Sequence, residues 1–264
     1  MTPVDLLVFV ALGAAAGTFA GLLGVGGGVI VVPGLAFVLG SGVVPGERLM
    51  QVAVGTALAT LVATSLSSIR AHHRRRAVRW PVVARLAPGL VVGAGIGAVI
   101  ADALPTRGLA IVFGTFLLLM AVRLAVPWRP AVHRQVPSSA WLGGWGVAMG
   151  TVASLLGIGG AAMTVPLLTW SNVPLRESVG TAAACGLPIA VAGAASFVVA
   201  GWGTPGMPAW ATGYVYWPAF AVLAPTTVLF APVGARLTHA LPVRLLRRGF
   251  AVFLAIVGVR MLLG

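Results

Sequence analysis

The sequence Gly24-Val25-Gly26-Gly27-Gly28 interrupts an apolar stretch near the start of the chain, and it recurs as Gly157-Ile158-Gly159-Gly160-Ala161 in the second half. Three or four glycines within five residues disfavour a helix, because glycine loses more conformational freedom on folding than any other residue. A short apolar segment follows each run. We therefore predict a broken or hairpin helix pair in each half of the chain.

The composition around these runs is that of an integral membrane protein. Of 264 residues, 59% are hydrophobic and only 8% are charged, which excludes an ordinary water-soluble surface. A helix needs roughly 20 apolar residues to span the hydrocarbon core of a membrane. Comparing the apolar stretches of the chain with this length, we predict an all-α polytopic membrane protein with ten helical segments. These are Val4–Leu23, Val29–Gly40, Leu49–Ile69, Val82–Ala103, Leu109–Val126, Trp141–Leu156, Ala162–Trp170, Val179–Ala200, Tyr214–Ala235 and Phe250–Leu263.

Several further motifs recur in the same order, which indicates an internal duplication. Val54-Gly55-Thr56-Ala57 matches Val179-Gly180-Thr181-Ala182, and Leu86-Ala87-Pro88 matches Leu223-Ala224-Pro225. Gly17-Thr18 falls on Gly150-Thr151 in the register of the glycine runs. We predict one membrane domain made of a first repeat (1–126), a cytoplasmic linker (127–139) and a second repeat (140–264), each with a broken pair followed by three spanning helices.

The arginines predict that the two repeats have inverted topology. All 17 basic residues are arginine, and short loops rich in arginine stay in the cytoplasm. The loop at 70–80 carries five of them, whereas the matching loop at 201–213 carries no charge. Equivalent loops should therefore lie on opposite faces, with 14 of the 17 arginines inside and both termini outside. This placement also explains the net charge of +13 without nucleic-acid binding.

The two breaks predict an anion site. Backbone that is not helical is tolerated at membrane depth only where protein or a watery cavity satisfies it. The free N–H groups and dipole of a helix start attract anions, and transporters of this construction bind substrates near the midplane. Hydroxyl groups add neutral donors. The predicted substrate-binding residues are Gly26, Gly27, Gly28, Gly159, Gly160, Ala161, Thr56 and Thr181. The alternative for the glycines is close helix packing, and for each threonine a bond to its own helix.

What the sequence lacks narrows the function further. No Asp, Glu or His falls in the middle of a predicted span, which argues against a cation pump. Cys185 is the only cysteine, and no nucleophile and base pattern or nucleotide motif appears. We expect no enzyme activity, no cofactor and no metal. The run His72-His73-Arg74-Arg75-Arg76 is typical of a loop beside anionic lipid.

These motifs resemble the TauE/SafE family of anion exporters over nearly the whole chain. The resemblance rests on 21–33, 54–66, 72–80, 157–166 and 179–181. It implies a permease of the bacterial inner membrane for sulfite or related organosulfur anions. The second run, Gly159-Gly160-Ala161-Ala162, has fewer glycines than the first, so the first half-site is the better supported one.

Our leading interpretation is a secondary transporter of small sulfur oxyanions that works by alternating access. A passive anion channel and an accessory membrane subunit without transport of its own are the two alternatives. The sequence leaves open the physiological anion, the direction of transport, proton coupling and whether the chain forms a homo-oligomer.

Overall fold

The structure is a computed structural model that describes residues 3–23, 27–40, 42–44, 46–125, 139–240 and 243–263. Gly24, Val25 and Gly26 of the first glycine run lie outside the described residues, as does the predicted linker apart from Ser139. The predicted substrate residue Gly26 is therefore not placed.

Ten α-helices account for most of the described chain, and they confirm the ten helical segments predicted from the sequence. The first half contains α1 (Pro3–Leu23), α2 (Gly28–Leu39), α3 (Leu49–Arg74), α4 (Trp80–Ala103) and α5 (Thr106–Ala125), with a 3-10 turn at Gly46–Arg48. The second half contains α6 (Ser139–Leu155), α7 (Ala161–Trp170), α8 (Leu175–Ala200), α9 (Trp217–Ala240) and α10 (Val243–Leu263).

In the part of the chain that the structure describes, five segments are long and apolar enough to cross a membrane: Gly46–Arg74, Trp80–Ala103, Thr106–Ala125, Leu175–Ala200 and Trp217–Gly234. Helices α2 and α7 are apolar but have only 12 and 10 residues. At 1.5 Å per residue, neither can cross the roughly 30 Å of hydrocarbon alone. The inner end of each short helix must therefore lie against other parts of the protein, and α2 packs on α3 as α7 packs on α8.

Several helices extend beyond their apolar segments, and α3 and α10 are the two examples with clustered basic residues at the added end. Helix α3 continues past Ile69 to Arg74, and α10 begins at Val243 rather than at Phe250. An apolar window detects only the part of a helix that lies in hydrocarbon, whereas arginine is itself a good helix former. The basic residues at these ends therefore extend helices rather than forming loops.

The start of α9 corrects the sequence prediction. Tyr214 was expected in a helix, but it lies in a short antiparallel hairpin of β1 (Ala211–Thr212) and β2 (Val215–Tyr216). Gly213 adopts a left-handed φ of +55° in the turn between the strands. The aromatic and β-branched residues Tyr214, Val215 and Tyr216 suit a strand as well as a helix, so apolarity alone could not distinguish them.

The two halves make equivalent contacts where long helices cross. Helix α1 packs on α9, and α6 packs on α4. Gly13 of α1 lies against Leu223, and the aligned Gly146 of α6 lies against the aligned Leu86. The same correspondence holds one turn further along, where Gly17 lies against Thr227 and Gly150 lies against Leu90. Because glycine has no side chain, the helix backbones can touch at these positions, as they do at small residues in membrane helix bundles.

The α4–α6 crossing gives a direct test of this packing. A Cβ on Gly93 would collide with the Val147 carbonyl and lie 2.8 Å from the Thr151 nitrogen. We expect Gly93→Ala to lower the free energy of unfolding by about 1–3 kcal/mol. Gly95→Ala on the same helix is the control, because its nearest atom would be Ser196 Oγ at 3.8 Å. Thermal unfolding in detergent measures both, and equal stability of the two variants would contradict the packing.

Candidate functional site

The two helix breaks meet inside the protein. A Cβ on Gly28 would collide with the Gly157 carbonyl oxygen and lie 3.0 Å from Ile158 Cα. Gly157 has a left-handed φ of +62°, and a Cβ there would meet Val32 of α2 and Val54 of α3. The start of α2 therefore touches the backbone of the second break directly. Only glycine at position 28 permits this contact.

Both short helices begin in the same way. Gly27 and Gly160 are the N-cap residues, neither with a side-chain cap, and no acidic residue lies in either first turn. The Gly27 carbonyl accepts hydrogen bonds from the amides of Ile30 and Val31, and the Gly160 carbonyl accepts them from Met163 and Thr164. The two preceding amides in each helix come before the helical hydrogen-bond ladder, so the helix itself offers them no acceptor.

The remaining glycines of the breaks face apolar helix walls. A Cβ on Gly27 would lie 3.5 Å from Ala16 of α1, and one on Gly159 would lie 3.6 Å from Leu61 of α3. Gly160 faces Ile189 of α8, whose Cδ1 would be 2.8 Å from such a Cβ. Ala161 is buried beside it. The structure thus brings Gly28 of the first break onto Gly157 and Ile158 of the second, while Gly27, Gly159 and Gly160 each face a neighbouring helix or their own.

Thr56 and Thr181 each bind a backbone amide in the other half of the chain. Thr56 Oγ1 accepts a hydrogen bond of 3.0 Å from the Tyr216 amide, and Thr181 Oγ1 accepts one of 3.0 Å from the Arg79 amide. Both threonines are fully buried. The partner residues immediately precede α9 and α4, respectively. These threonines therefore bind the chain where a long helix begins in the other half.

The glycine before each threonine completes this contact. Gly55 lies against the Tyr214 carbonyl, and Gly180 lies against the Ala77 carbonyl. A side chain at either position would displace the segment whose amide the threonine binds. We call each unit, Gly55-Thr56 or Gly180-Thr181, a Gly-Thr clamp. The repeated Val-Gly-Thr-Ala motif thus has a structural role that sequence reasoning missed.

Sequence reasoning also missed two buried hydroxyl groups beside the second break. Ser154 and Thr164 have no exposed surface, and their hydroxyl oxygens have no hydrogen-bond partner. Ser154 precedes Gly157 by three residues, and Thr164 follows Gly160 by four. Their spacing from the glycine run was the signal that could have found them, because both positions lie within one helical turn of the break.

A polar network closes one end of the molecule. Tyr214 donates a 2.6 Å hydrogen bond to Asp102, whose carboxylate also lies 3.4 Å from the Arg48 guanidinium. Gln51 donates to the carbonyls of Ala101 and Leu104. Burial raises the pKa of the Tyr214 phenol above its ordinary value, and the hydrogen bond to Asp102 raises it further. Tyr214 therefore remains protonated, and a donor, at neutral pH.

A second ion pair lies at the opposite end. The Arg79 side chain donates to Glu177 at 2.5 Å, and the Arg176 guanidinium donates to the Arg75 carbonyl at 3.1 Å. The side chains of Arg79 and Glu177 are about a third exposed, so solvent weakens their attraction. Within the described residues, no group of three His, Cys, Asp or Glu side chains could hold a metal ion.

The Gly-Thr clamp of the first repeat can be tested by stability. Thr56→Val removes the acceptor of the buried Tyr216 amide, and an unpaired buried donor costs about 1–3 kcal/mol. Thr60→Val is the control, because Thr60 only donates to the Thr56 carbonyl of its own helix. Thermal unfolding in detergent should show a clear loss for the first variant and a smaller one for the second. The reverse order would rule out the clamp.

The contact between the breaks predicts different responses at neighbouring glycines. Gly28→Ala places a methyl group into the Gly157 backbone, which cannot move aside as a flexible side chain can. Gly27→Ala makes only ordinary contacts at 3.5 Å. We expect the Gly28 variant to lose most of its folded, monodisperse fraction on size-exclusion chromatography after mild heating, with the Gly27 variant close to wild type. Similar survival of both would contradict the contact.

Comparison with known proteins agrees with this architecture. The model of the sulfite exporter TauE/SafE family matches residues 9–261. A probable membrane transporter protein of Haemophilus influenzae is 34% identical over 98% of both chains. The probable membrane transporter protein YunE of Bacillus subtilis is 23% identical over 98% of this chain and 97% of its own. No solved structure matches. With its broken helix pairs and spanning helices, the chain belongs to the TauE/SafE family of membrane transporters.

Proposed function

We propose that the protein is a secondary transporter that exports small sulfur-containing oxyanions such as sulfite across the bacterial inner membrane. The observation that carries this proposal is the meeting of the two helix breaks, where Gly28 touches Gly157 inside the protein. Gly157 is only three residues before Gly160, the N-cap of α7, so the contact brings the start of α2 to the segment that leads into α7. The positive end of a helix dipole and its first amides attract an anion. Sulfite is the anion named in the family description.

The electrostatics of the breaks favour an anion over a cation. Each helix start carries roughly half a positive charge, and no acidic side chain lies in either first turn to neutralise it. Of the four acidic residues in the chain, Asp102 and Glu177 lie in the polar contacts at the two ends and Glu47 lies in the 3-10 turn. An anion at the breaks would therefore meet no like charge from these three.

Inverted repeats and alternating access form the mechanistic part of the proposal. Its support is that the most extensive helix pairs correspond when the halves are exchanged. The α1–α9 pair corresponds to the α6–α4 pair, and the α2–α3 pair corresponds to the α7–α8 pair. The α3–α8 and α5–α10 pairs each join equivalent helices of the two halves, so the exchange leaves them unchanged. The two Gly-Thr clamps also correspond, since Tyr216 of one aligns with Arg79 of the other. Such exchange is the construction that inverted-repeat transporters use.

The two ends supply contacts that could open in turn. Arg48, Asp102 and Tyr214 join three segments at one end, and Arg79 and Glu177 join two at the other. In the proposed cycle one end opens while the other stays closed, with the anion held at the breaks between them. The arginine bias puts the Arg79 end in the cytoplasm and both termini outside.

Sulfite flux in proteoliposomes tests the function. Purified protein should move sulfite with saturable kinetics, faster under an imposed pH gradient, with sulfate and chloride as competitors. Flux without saturation or response to the gradient would indicate a passive anion channel instead. No flux of any of the three anions from folded, inserted protein would overturn the proposal and favour the accessory-subunit alternative.

The breaks can be tested within the same assay. Gly160→Val adds bulk beside Ile189 Cδ1 and Thr164, where a flexible side-chain end can give way. We expect the variant to insert and fold but to lose at least tenfold in sulfite flux, because the added methyl groups occupy the space of the anion. Gly143→Val is the control, since nothing lies within 4 Å of a Cβ at that position. Equal flux from both variants would remove the breaks from the transport path.

A further inference from the structure

Two hydroxyl groups in the membrane interior of the protein lack hydrogen-bond partners. Ser154 of α6 and Thr164 of α7 are both fully buried, with unpaired Oγ atoms. Among the described residues, the four other serines and threonines less than 2% exposed all make hydrogen bonds: Thr56, Ser178, Thr181 and Thr227. A serine or threonine in a helix ordinarily donates to a carbonyl of the preceding turn, and Thr151 and Thr169 do so on these same two helices.

Both hydroxyls flank the second break and face one helix. Thr164 Oγ1 lies 3.4 Å from the Cβ position of Gly160, the N-cap of α7, and Ile189 Cδ1 lies 2.8 Å from that point. Ser154 Oγ lies 3.0 Å from the Cβ position of Gly193. Ile189 and Gly193 are one turn apart on α8, so they share a face of that helix. The unpaired oxygens are therefore directed toward the start of α7 and the adjoining turn of α8.

We propose that Thr164 and Ser154 are the side-chain donors that bind the transported oxyanion, and that this recognition comes from the second repeat alone. The inference rests on the proposed transport function and names the side chains of its binding site. The hydroxyls supplement the first-turn amides of Ala161 and Ala162, which precede the hydrogen-bond ladder of α7.

The chemistry of a hydroxyl suits this task. A hydroxyl donates to an anion without bringing a charge that would itself need desolvation in the membrane. An oxyanion offers several acceptor oxygens to donors on either side of the break, and hydrogen bonds to a charged acceptor are about twice as strong as neutral ones. Chloride is a single atom and has no separate oxygen atoms to accept hydrogen bonds from opposite sides. The arrangement therefore favours a small oxyanion over a halide.

The first repeat lacks these groups. In the alignment of the glycine runs, Ser154 corresponds to Gly21 and Thr164 corresponds to Val31. Val31 is buried in the apolar core. In the proposed site, the first break therefore contributes backbone amides and room for the anion, whereas the second break contributes backbone amides and two hydroxyl groups. The second glycine run, poorer in glycine, becomes the more specific half of the site.

The test separates binding from folding, because an unpaired hydroxyl contributes little to stability. Replacing it by an apolar group of the same shape should leave the melting temperature unchanged or raise it. We expect Thr164→Val and Ser154→Ala to raise the half-saturating sulfite concentration about tenfold in proteoliposomes, the loss expected for one hydrogen bond to a charged group. Thr164→Ser keeps the hydroxyl and should transport like wild type.

Matched controls remove hydroxyls that already have partners. Thr169→Val on the same helix and Ser171→Ala at its end lose only bonds to carbonyls of α7. Sulfite affinity should be unchanged in both. If the wild type transports sulfite and Thr164→Val retains wild-type affinity, this inference fails while the proposed function stands. If the wild type moves no sulfite, the proposed function itself has failed. A melting temperature that falls in Thr164→Val and not in Thr169→Val would show a structural hydroxyl and overturn the inference.

Discussion

Every backbone amide and carbonyl at membrane depth needs a partner, and the arrangement of this protein follows from the two places where helices cannot provide one. Short helices α2 and α7 begin inside the protein, so other helices must enclose both starts. The closest enclosure is the contact of Gly28 with the Gly157 backbone. Long helices α3 and α8 pack against the short ones and against each other, which closes the interior around the breaks.

The Gly-Thr clamps extend the same logic to the ends of the long helices. A helix start leaves its first amides without partners inside the helix, and Thr56 or Thr181 accepts one such amide from the other half of the chain. The partner thus comes from a distant helix rather than from a local capping side chain. Each half of the chain therefore supplies a hydrogen-bond acceptor to a helix start in the other half.

The sequence predicted the ten helices and the two breaks because apolar length and glycine clusters are local signals. It placed Tyr214 in a helix because strands of two residues are too short to show an alternating pattern, so only the apolar character of the segment was visible. It did not predict that the hydroxyl oxygens of Thr56 and Thr181 accept backbone amides more than 100 residues away. Such contacts depend on which helices become neighbours, and a single sequence does not encode that in any local pattern.

Correspondence between the halves holds for packing and fails for chemistry. The glycine crossings and clamps match, whereas Ser154 aligns with Gly21, and Glu177 of the Arg79 ion pair aligns with Val52. Under the proposed cycle, matched packing would keep the inward-open and outward-open states close in energy. A ligand bound equally in both shifts no equilibrium. Any energy difference between the two states would then come from the unmatched contacts at the two ends. The anion gradient would set the direction of net flux.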